Sequence, residues 1–233
     1  MSNTLKNNSP EIIGHRGAAG LVFENTLAGF QKAFELRLSL IELDVWKTID
    51  GESVVFHDAL LDRLTPAKGL IAEQTVAELQ QIKLNNGDPI PTLKEVIALA
   101  KDYPVTLIVE VKAENAFAKT LELLEAELPY SRFVLGSFYH QPIIQLKKAK
   151  PELRTAIMFE GVPVDFDEYL AKVNPEFVVA SKDTANAYLA ETVKLQNRKL
   201  LFYTVNSEPE YTMLLKYAPF GIISDFPDLF LKS

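Results

Sequence analysis

The sequence contains no cysteine, which excludes disulfides and thiolate-held zinc and fits a reducing compartment. It has a single tryptophan, Trp46. No apolar run approaches the length of a membrane-crossing helix, and the polar residues 1–10 lack the apolar core of a secretory leader. Positive charge is in deficit: 24 Lys and Arg stand against 31 Asp and Glu, a formal charge of −7. That balance argues against nucleic acid or an anionic membrane as the main partner, yet leaves room for a cation. The expectation is a cytoplasmic globular protein with no integral membrane segment and a frayed start. A hydrophobic share of 48% over 233 residues suffices for a large core.

What is present is organised around residues 40–58, LIELDVWKTIDGESVVFHD. The apolar alternation predicts a buried strand, interrupted by Glu42 and Asp44. Side chains alternate across a strand, so these two carboxylates share a face. They repel unless a cation or proton lies between them. An edge-strand solubility device is the bland alternative, and the apolar flanks argue against it. Asp50-Gly51 predicts a two-residue hairpin turn into a second strand over 53–56. That turn pairs Ile49 with Glu52, Trp46 with Val55 and Asp44 with His57, bringing His57 beside the carboxylates and packing Trp46 in the hairpin.

Before this stretch, residues 12–14 predict a short strand ending in His15-Arg16-Gly17. Glu24-Asn25-Thr26 predicts a helix start, with Asn25 or Thr26 as the cap of a helix over 27–36. Helix-like pieces follow at 75–82 and 92–101. From residue 105 strands at 105–111, 133–136, 155–159, 177–179, 200–205 and 221–223 alternate with helices at 116–127, 141–148, 166–172, 185–196 and 209–217. With 12–14 and 40–45 this makes eight strands for a parallel sheet, and 53–56 becomes an antiparallel accessory. The pattern predicts an α/β fold, a TIM (β/α)8 barrel with a small insertion after the second strand. A doubly wound open sheet is the runner-up. A single domain over 1–233 is expected, with the insertion at about 46–103.

In such a barrel, chemistry sits at the C-terminal ends of the strands. Those ends carry His15 and Arg16, then Glu42 and Asp44, then Glu110 and Lys112, the last two again on one face. Three carboxylates on one rim suit a hard divalent cation, Mg²⁺ or Ca²⁺. Arg16 and Lys112 suit an anionic oxygen such as phosphate, although Lys112 also has Glu110 as a partner. Imidazoles of near-neutral pKa suit proton transfer, and the whole set describes phosphoryl transfer. His140 reads as a surface or capping residue, Asp58 as a loop-capping or histidine-orienting residue, and Asp225 as a structural closure of the barrel.

These residues carry a resemblance. His15-Arg16-Gly17, Glu24-Asn25-Thr26, Glu42-x-Asp44-Val45, Asp50-Gly51, His57-Asp58 and Glu110-x-Lys112 resemble the glycerophosphodiester phosphodiesterase family. Pro91-Thr92-Leu93, Ser137-Phe138, Thr204-Val205-Asn206 and Asp225-x-Pro227 extend the likeness from about Ile12 to Leu229. The resemblance implies a TIM barrel, a divalent metal on Glu42, Asp44 and Glu110, and catalysis by His15 and His57. It implies hydrolysis of small glycerophosphodiesters to an alcohol and sn-glycerol 3-phosphate, with the metal-activated glycerol 2-hydroxyl attacking phosphorus and water then opening a cyclic phosphate. Arg16 and Lys112 are expected at the phosphate, and Tyr203, where the family often has Trp, at the glycerol or headgroup wall. Phe23, Leu38-Ser39-Leu40 and Ser224 also depart from the family pattern, and none is a metal or histidine position. The competing readings are a lysophospholipase D-like or sphingomyelinase D-like phosphodiesterase, a metal-dependent sugar isomerase, and a non-catalytic barrel that only binds glycerophosphodiesters. A degenerate binder is expected to lose some of the histidines and carboxylates, and all are present.

Overall fold

The computed structural model describes residues 9–231, so the first eight residues of the polar start lie outside the described residues. In chain order the elements are β1 (Glu11–Gly14), α1 (Leu27–Glu35), β2 (Leu40–Lys47), β3 (Ser53–Val55), α2 (Val76–Gln81), α3 (Leu93–Ala100), β4 (Thr106–Val111), α4 (Phe117–Glu127), β5 (Phe133–Ser137), α5 (His140–Ala149), β6 (Thr155–Phe159), α6 (Phe166–Val173), β7 (Phe177–Ser181), α7 (Ala187–Leu195), β8 (Lys199–Tyr203), α8 (Glu208–Leu214) and β9 (Gly221–Ser224). Eight strands pair in parallel, and β1 bonds to both β9 and β2. The sheet therefore closes on itself as a TIM barrel, and the open-sheet alternative falls. Among the described residues no helix is long and apolar enough to cross a membrane.

Strand alternation sorts the side chains into two cores. Ile41, Leu43 and Val45 on β2 and Leu107, Val109 and Val111 on β4 point outward and pack beneath the helices. Leu40 and Ile108 point inward with Ile13, Val134, Met158, Val179 and Leu201, filling the barrel. Glu42, Asp44 and Glu110 continue those inward rows toward the C-terminal end, where Asp44 is directly paired with Glu110 across the sheet. Gly136 on β5 lies beside Glu110 in register, and a Cβ there would come within 2.9 Å of Met158.

The hairpin register differs from the sequence expectation by one residue. Val45 pairs with Val55, Trp46 with Val54 and Lys47 with Ser53. The loop is three residues long, because the Thr48 hydroxyl donates to Asp50 at 2.6 Å and accepts the Glu52 amide at 3.0 Å. Gly51 sits at φ 87 with nothing near its missing Cβ, so backbone angle alone requires glycine. Asp50 also accepts the Val76 amide at 3.2 Å, docking the loop on the start of α2. The Asp44–His57 pairing does not form, and β3 stops at Val55. The Trp46 indole donates to the His57 carbonyl at 3.1 Å, holding the departing chain close to β2.

Residues between β3 and α3 wrap a small apolar cluster of their own, including Val54, Phe56, Leu61, Leu64, Ile71 and Leu79. Helix α3 belongs instead to the main core and packs against α1. Thr75 and Thr92 each form a reciprocal capping box, with Glu78 and Glu95 respectively, which fixes where α2 and α3 begin.

At the base of the barrel Glu176 accepts from Arg154 at 2.7 and 3.0 Å and from Lys199 at 2.8 Å. Burial raises its carboxyl, but these cations outweigh burial and hold it below the ordinary 4.5. A carboxylate depressed in the folded state contributes stability that is complete above its unfolded pKa and is lost as pH falls through the folded value. Glu176→Gln is therefore expected to destabilise by about 1 kcal/mol at neutral pH, the range for a partly exposed pair. In thermal melts across pH, the gap to wild type should close once pH drops below the ordinary glutamate range.

Candidate active site

The ends of several barrel strands and the loops that follow them build the site. The chain turns sharply after β1, with Arg16 at φ 49 and Gly17 at φ 90. A Cβ on Gly17 would meet the Gly29 carbonyl carbon at 2.8 Å, so only glycine lets this turn pack on α1. The tight turn brings the Arg16 amide within 3.0 Å of Glu42 Oε2, and the Gly17 amide donates to the Glu42 carbonyl at 3.2 Å. Of the two candidate caps for α1, Thr26 takes the role, accepting the Gly29 amide at 2.9 Å. Asn25 is thereby free for the site. It sits at φ 54, 2% exposed, and donates its side-chain amide to Asp44 Oδ2 at 2.8 Å.

Glu42, Asp44 and Glu110 are buried, and one ligand atom from each lies within 4.8 Å of the others. Two cations stand beside them. Lys112 donates to Glu110 at 2.6 Å and lies 3.4 Å from Asp44, while Arg16 Nε lies 3.5 Å from Asp44. Burial, then Asp44 and Glu110, raises the Glu42 carboxyl well above its ordinary range. Burial and Asp44 likewise push Glu110 up to about 7. Burial also raises Asp44, but Lys112 and Arg16 outweigh it and keep Asp44 ionised. The protein's own cations thus suffice for one carboxylate and not for three. A close-set, buried, all-oxygen donor group that cannot carry its full charge alone fits a hard divalent cation.

Both histidines at the site are tethered through the same nitrogen. His15 Nδ1 donates to Asp225 at 2.6 Å, which leaves Nε2 3.9 Å from Glu42. Asp225 also accepts from the Asn206 side chain at 2.6 Å. Burial raises the Asp225 carboxyl, but His15 and Asn206 bring it below its ordinary value. Asp225 is thus a histidine anchor and more than a barrel closure. His57 Nδ1 donates to Asp58 at 2.6 Å, so Asp58 orients a histidine, the second of its two sequence readings. Burial lowers the His57 pKa, and Arg16 and Lys112 lower it further against the opposing pull of Asp44 and Asp58. At neutral pH it is an uncharged imidazole with Nε2 unprotonated.

Tyr203 lines the cleft with His15, Glu42, Glu110 and Phe138, its ring set edge-on to Phe138 at 6.2 Å. His140 lies elsewhere. It donates Nε2–H to the Met158 carbonyl at 2.8 Å and accepts from the Tyr169 hydroxyl, a structural residue at the start of α5. Sequence reasoning did not single out Asn25, Asn206 or Glu24 for the site. Each lies in a quoted motif, but Asn25 and Asn206 reach partners 19 residues away and Glu24 reaches Arg63, 39 residues away.

The charge argument has a direct consequence. Glu42→Gln retains an acceptor for the Arg16 amide while removing a buried charge. In EDTA at neutral pH it is expected to be more stable than wild type, because wild type must either bury this charge or take up a proton to fold. Mg²⁺ or Ca²⁺ should raise the Tm of wild type and leave that of Glu42→Gln unchanged.

Residues 15–229 match the glycerophosphoryl diester phosphodiesterase family. A glycerophosphodiester phosphodiesterase of Caldanaerobacter subterraneus subsp. tengcongensis is 30% identical over 95% of this chain and 96% of its own length. Among solved structures, an Oleispira antarctica phosphodiesterase in complex with the product sn-glycerol-3-phosphate superposes with a TM-score of 0.89, at 27% identity over 95% of each chain. A glycerophosphodiester phosphodiesterase of Thermotoga maritima gives 0.82 at 26% identity, over 95% of this chain and 97% of that one. With nearly its whole length matched and its motif residues gathered on one barrel rim, this chain belongs to the glycerophosphoryl diester phosphodiesterase family.

Proposed function

We propose that the protein hydrolyses glycerophosphodiesters to an alcohol and sn-glycerol 3-phosphate. One observation carries the reading: three carboxylates and two cations meet at a rim that also holds two imidazoles, each tethered to an aspartate through Nδ1. The glycerophosphate held by the Oleispira antarctica relative supports the same substrate class.

Negative charge grows on the phosphoryl oxygens as the diester reacts, so fixed positive charge lowers the barrier more than it favours binding. A divalent cation on Glu42, Asp44 and Glu110, Mg²⁺ or Ca²⁺, supplies such charge when bound and acidifies the glycerol 2-hydroxyl. Arg16 and Lys112 hold the non-bridging phosphate oxygens. One imidazole takes the 2-hydroxyl proton through Nε2 as that oxygen attacks phosphorus. The other donates a proton to the departing alkoxide. Water then opens the cyclic phosphate with the two imidazoles in exchanged roles, which returns both to their starting protonation. Asp58 and Asp225 keep each Nδ1 protonated and stabilise the imidazolium of each half-reaction. Tyr203 and Phe138 form an aromatic wall for the glycerol or headgroup.

A second reading, a lysophospholipid diesterase, draws on Leu60 and Leu70. These bridge to each other two residues beyond Asp58 and are 49% and 40% exposed, an apolar shelf for an acyl chain.

Release of sn-glycerol 3-phosphate from glycerophosphocholine tests both. EDTA should abolish it, and His15→Ala and His57→Ala should each slow it by about 10²–10⁴-fold, the range for lost general acid–base catalysis. Turnover of lysophosphatidylcholine alone would transfer the assignment to the second reading. A folded, metal-loaded protein inert toward both would rule out a diesterase.

A further inference from the structure

We propose that Arg63, outside the carboxylate cluster, is a positioning residue that holds both His57 and Arg16 in working orientation. The inference rests on the function proposed above. Arg63 ends a single 3₁₀ turn, Leu61–Arg63, of the segment between β3 and α3. Leu61 and Leu64 are buried in that segment's apolar cluster, three residues apart and so on one side of the turn. Thr65 donates to the Leu61 carbonyl at 2.9 Å and Asn85 to the Arg63 carbonyl at 3.0 Å, pinning the backbone. The Arg63 side chain is left facing the barrel rim.

There its guanidinium joins two carboxylates. Nε and Nη2 donate to Asp58 at 2.6 and 2.8 Å, and Nη1 and Nη2 donate to Glu24 at 2.9 and 2.8 Å. Each carboxylate holds a proposed working group: Asp58 accepts from His57 Nδ1 at 2.6 Å, and Glu24 from Arg16 Nη1 at 2.8 Å. Arg16 Nε is buried 3.5 Å from Asp44 without a hydrogen bond, so the bond to Glu24 is the one that orients the guanidinium among the described residues. One planar fork therefore fixes an imidazole and a phosphate-binding cation at once, with two bonds to each carboxylate.

The Arg63 side chain is 47% exposed, yet a bidentate fork shared between two carboxylates is the geometry in which even exposed ion pairs contribute to stability. Orientation is the further consequence, because its four hydrogen bonds converge on the two carboxylates that hold His57 and Arg16. Burial acts to raise the Glu24 carboxyl, but hydrogen bonds from Arg63 and Arg16 prevail and keep it low, while Arg63 is the main cause holding Asp58 well below the carboxylate range. Lysine has the charge but not the fork, and from one position it serves one carboxylate.

The test compares Arg63→Gln, Arg63→Lys and Lys68→Ala in the full-length, metal-loaded protein. Lys68 pairs with Asp62 on the same turn and serves as the control. Two quantities are read: kcat and KM on glycerophosphocholine, and the downfield Nδ1–H proton resonance of His57, assigned by its loss in His57→Gln. Arg63→Gln is expected to lower kcat about 10- to 100-fold, the cost typical of lost supporting hydrogen bonds around a site. It should also broaden the His57 resonance away, with Tm within a few degrees of wild type. Arg63→Lys should recover part of each, and Lys68→Ala should match wild type. The proposal is overturned if Arg63→Gln keeps its kcat, or if kcat falls while the His57 resonance persists. Should Arg63→Gln unfold, Arg63→Lys carries the same comparison. If wild type turns over no glycerophosphodiester, the function reading fails, and the resonance alone still decides whether Arg63 holds His57.

Discussion

Repulsion among Glu42, Asp44 and Glu110 is the constraint around which the rest of the molecule is arranged. Three carboxylates lie within 4.8 Å of one another at the top of a barrel, above a layer of inward-facing apolar side chains. Left alone, such a cluster would take up protons or pull the strands apart. The structure answers with a lysine and an arginine at Asp44, a side-chain amide from Asn25, and a backbone amide on Glu42. That answer is incomplete, and the negative charge left over suits a divalent cation. Closure of the sheet keeps the cluster rigid, because β2 and β4 are held on both sides and cannot splay.

The two histidines repeat one device, His15 beside Glu42 and His57 within the field of Asp44. In each, a carboxylate takes Nδ1–H, so the ring presents the other nitrogen. The supports differ in origin. Asp225 follows β9 and is steadied by Asn206, so His15 is held within the barrel itself. Asp58 is steadied by Arg63, so His57 depends on a segment with its own small core between β3 and α3. That segment therefore acts on the site through hydrogen bonds and charge. It brings its own apolar cluster to anchor a turn, and the turn delivers one guanidinium.

Much of this was legible in the residues. Short apolar runs alternating with helix-like segments were enough for eight parallel strands, because barrel strands buried on both faces read as apolar runs. Carboxylates two residues apart on β2, and a carboxylate and lysine two apart on β4, announced a polar rim. The hairpin was read one residue out of register: the Thr48 side chain captures Asp50 and the Glu52 amide and widens the turn by one residue. Nothing in Asp50-Gly51 alone shows that. The contacts of Asp225 with His15 and of Asn25 with Asp44 were not legible, since these partners lie 210 and 19 residues away.

The sequence by itself determined the fold class, the family and a set of candidate side chains for the rim, because periodicity and short motifs are local and survive in one dimension. Tertiary structure decided which of those side chains act together. Barrel closure set Asp225 against His15, a positive φ freed Asn25 from capping, and a buried turn aimed Arg63 at two carboxylates. Those assignments depend on angles of ionic hydrogen bonds between distant segments, and no local pattern of residues encodes an angle between segments that meet only after the sheet has closed.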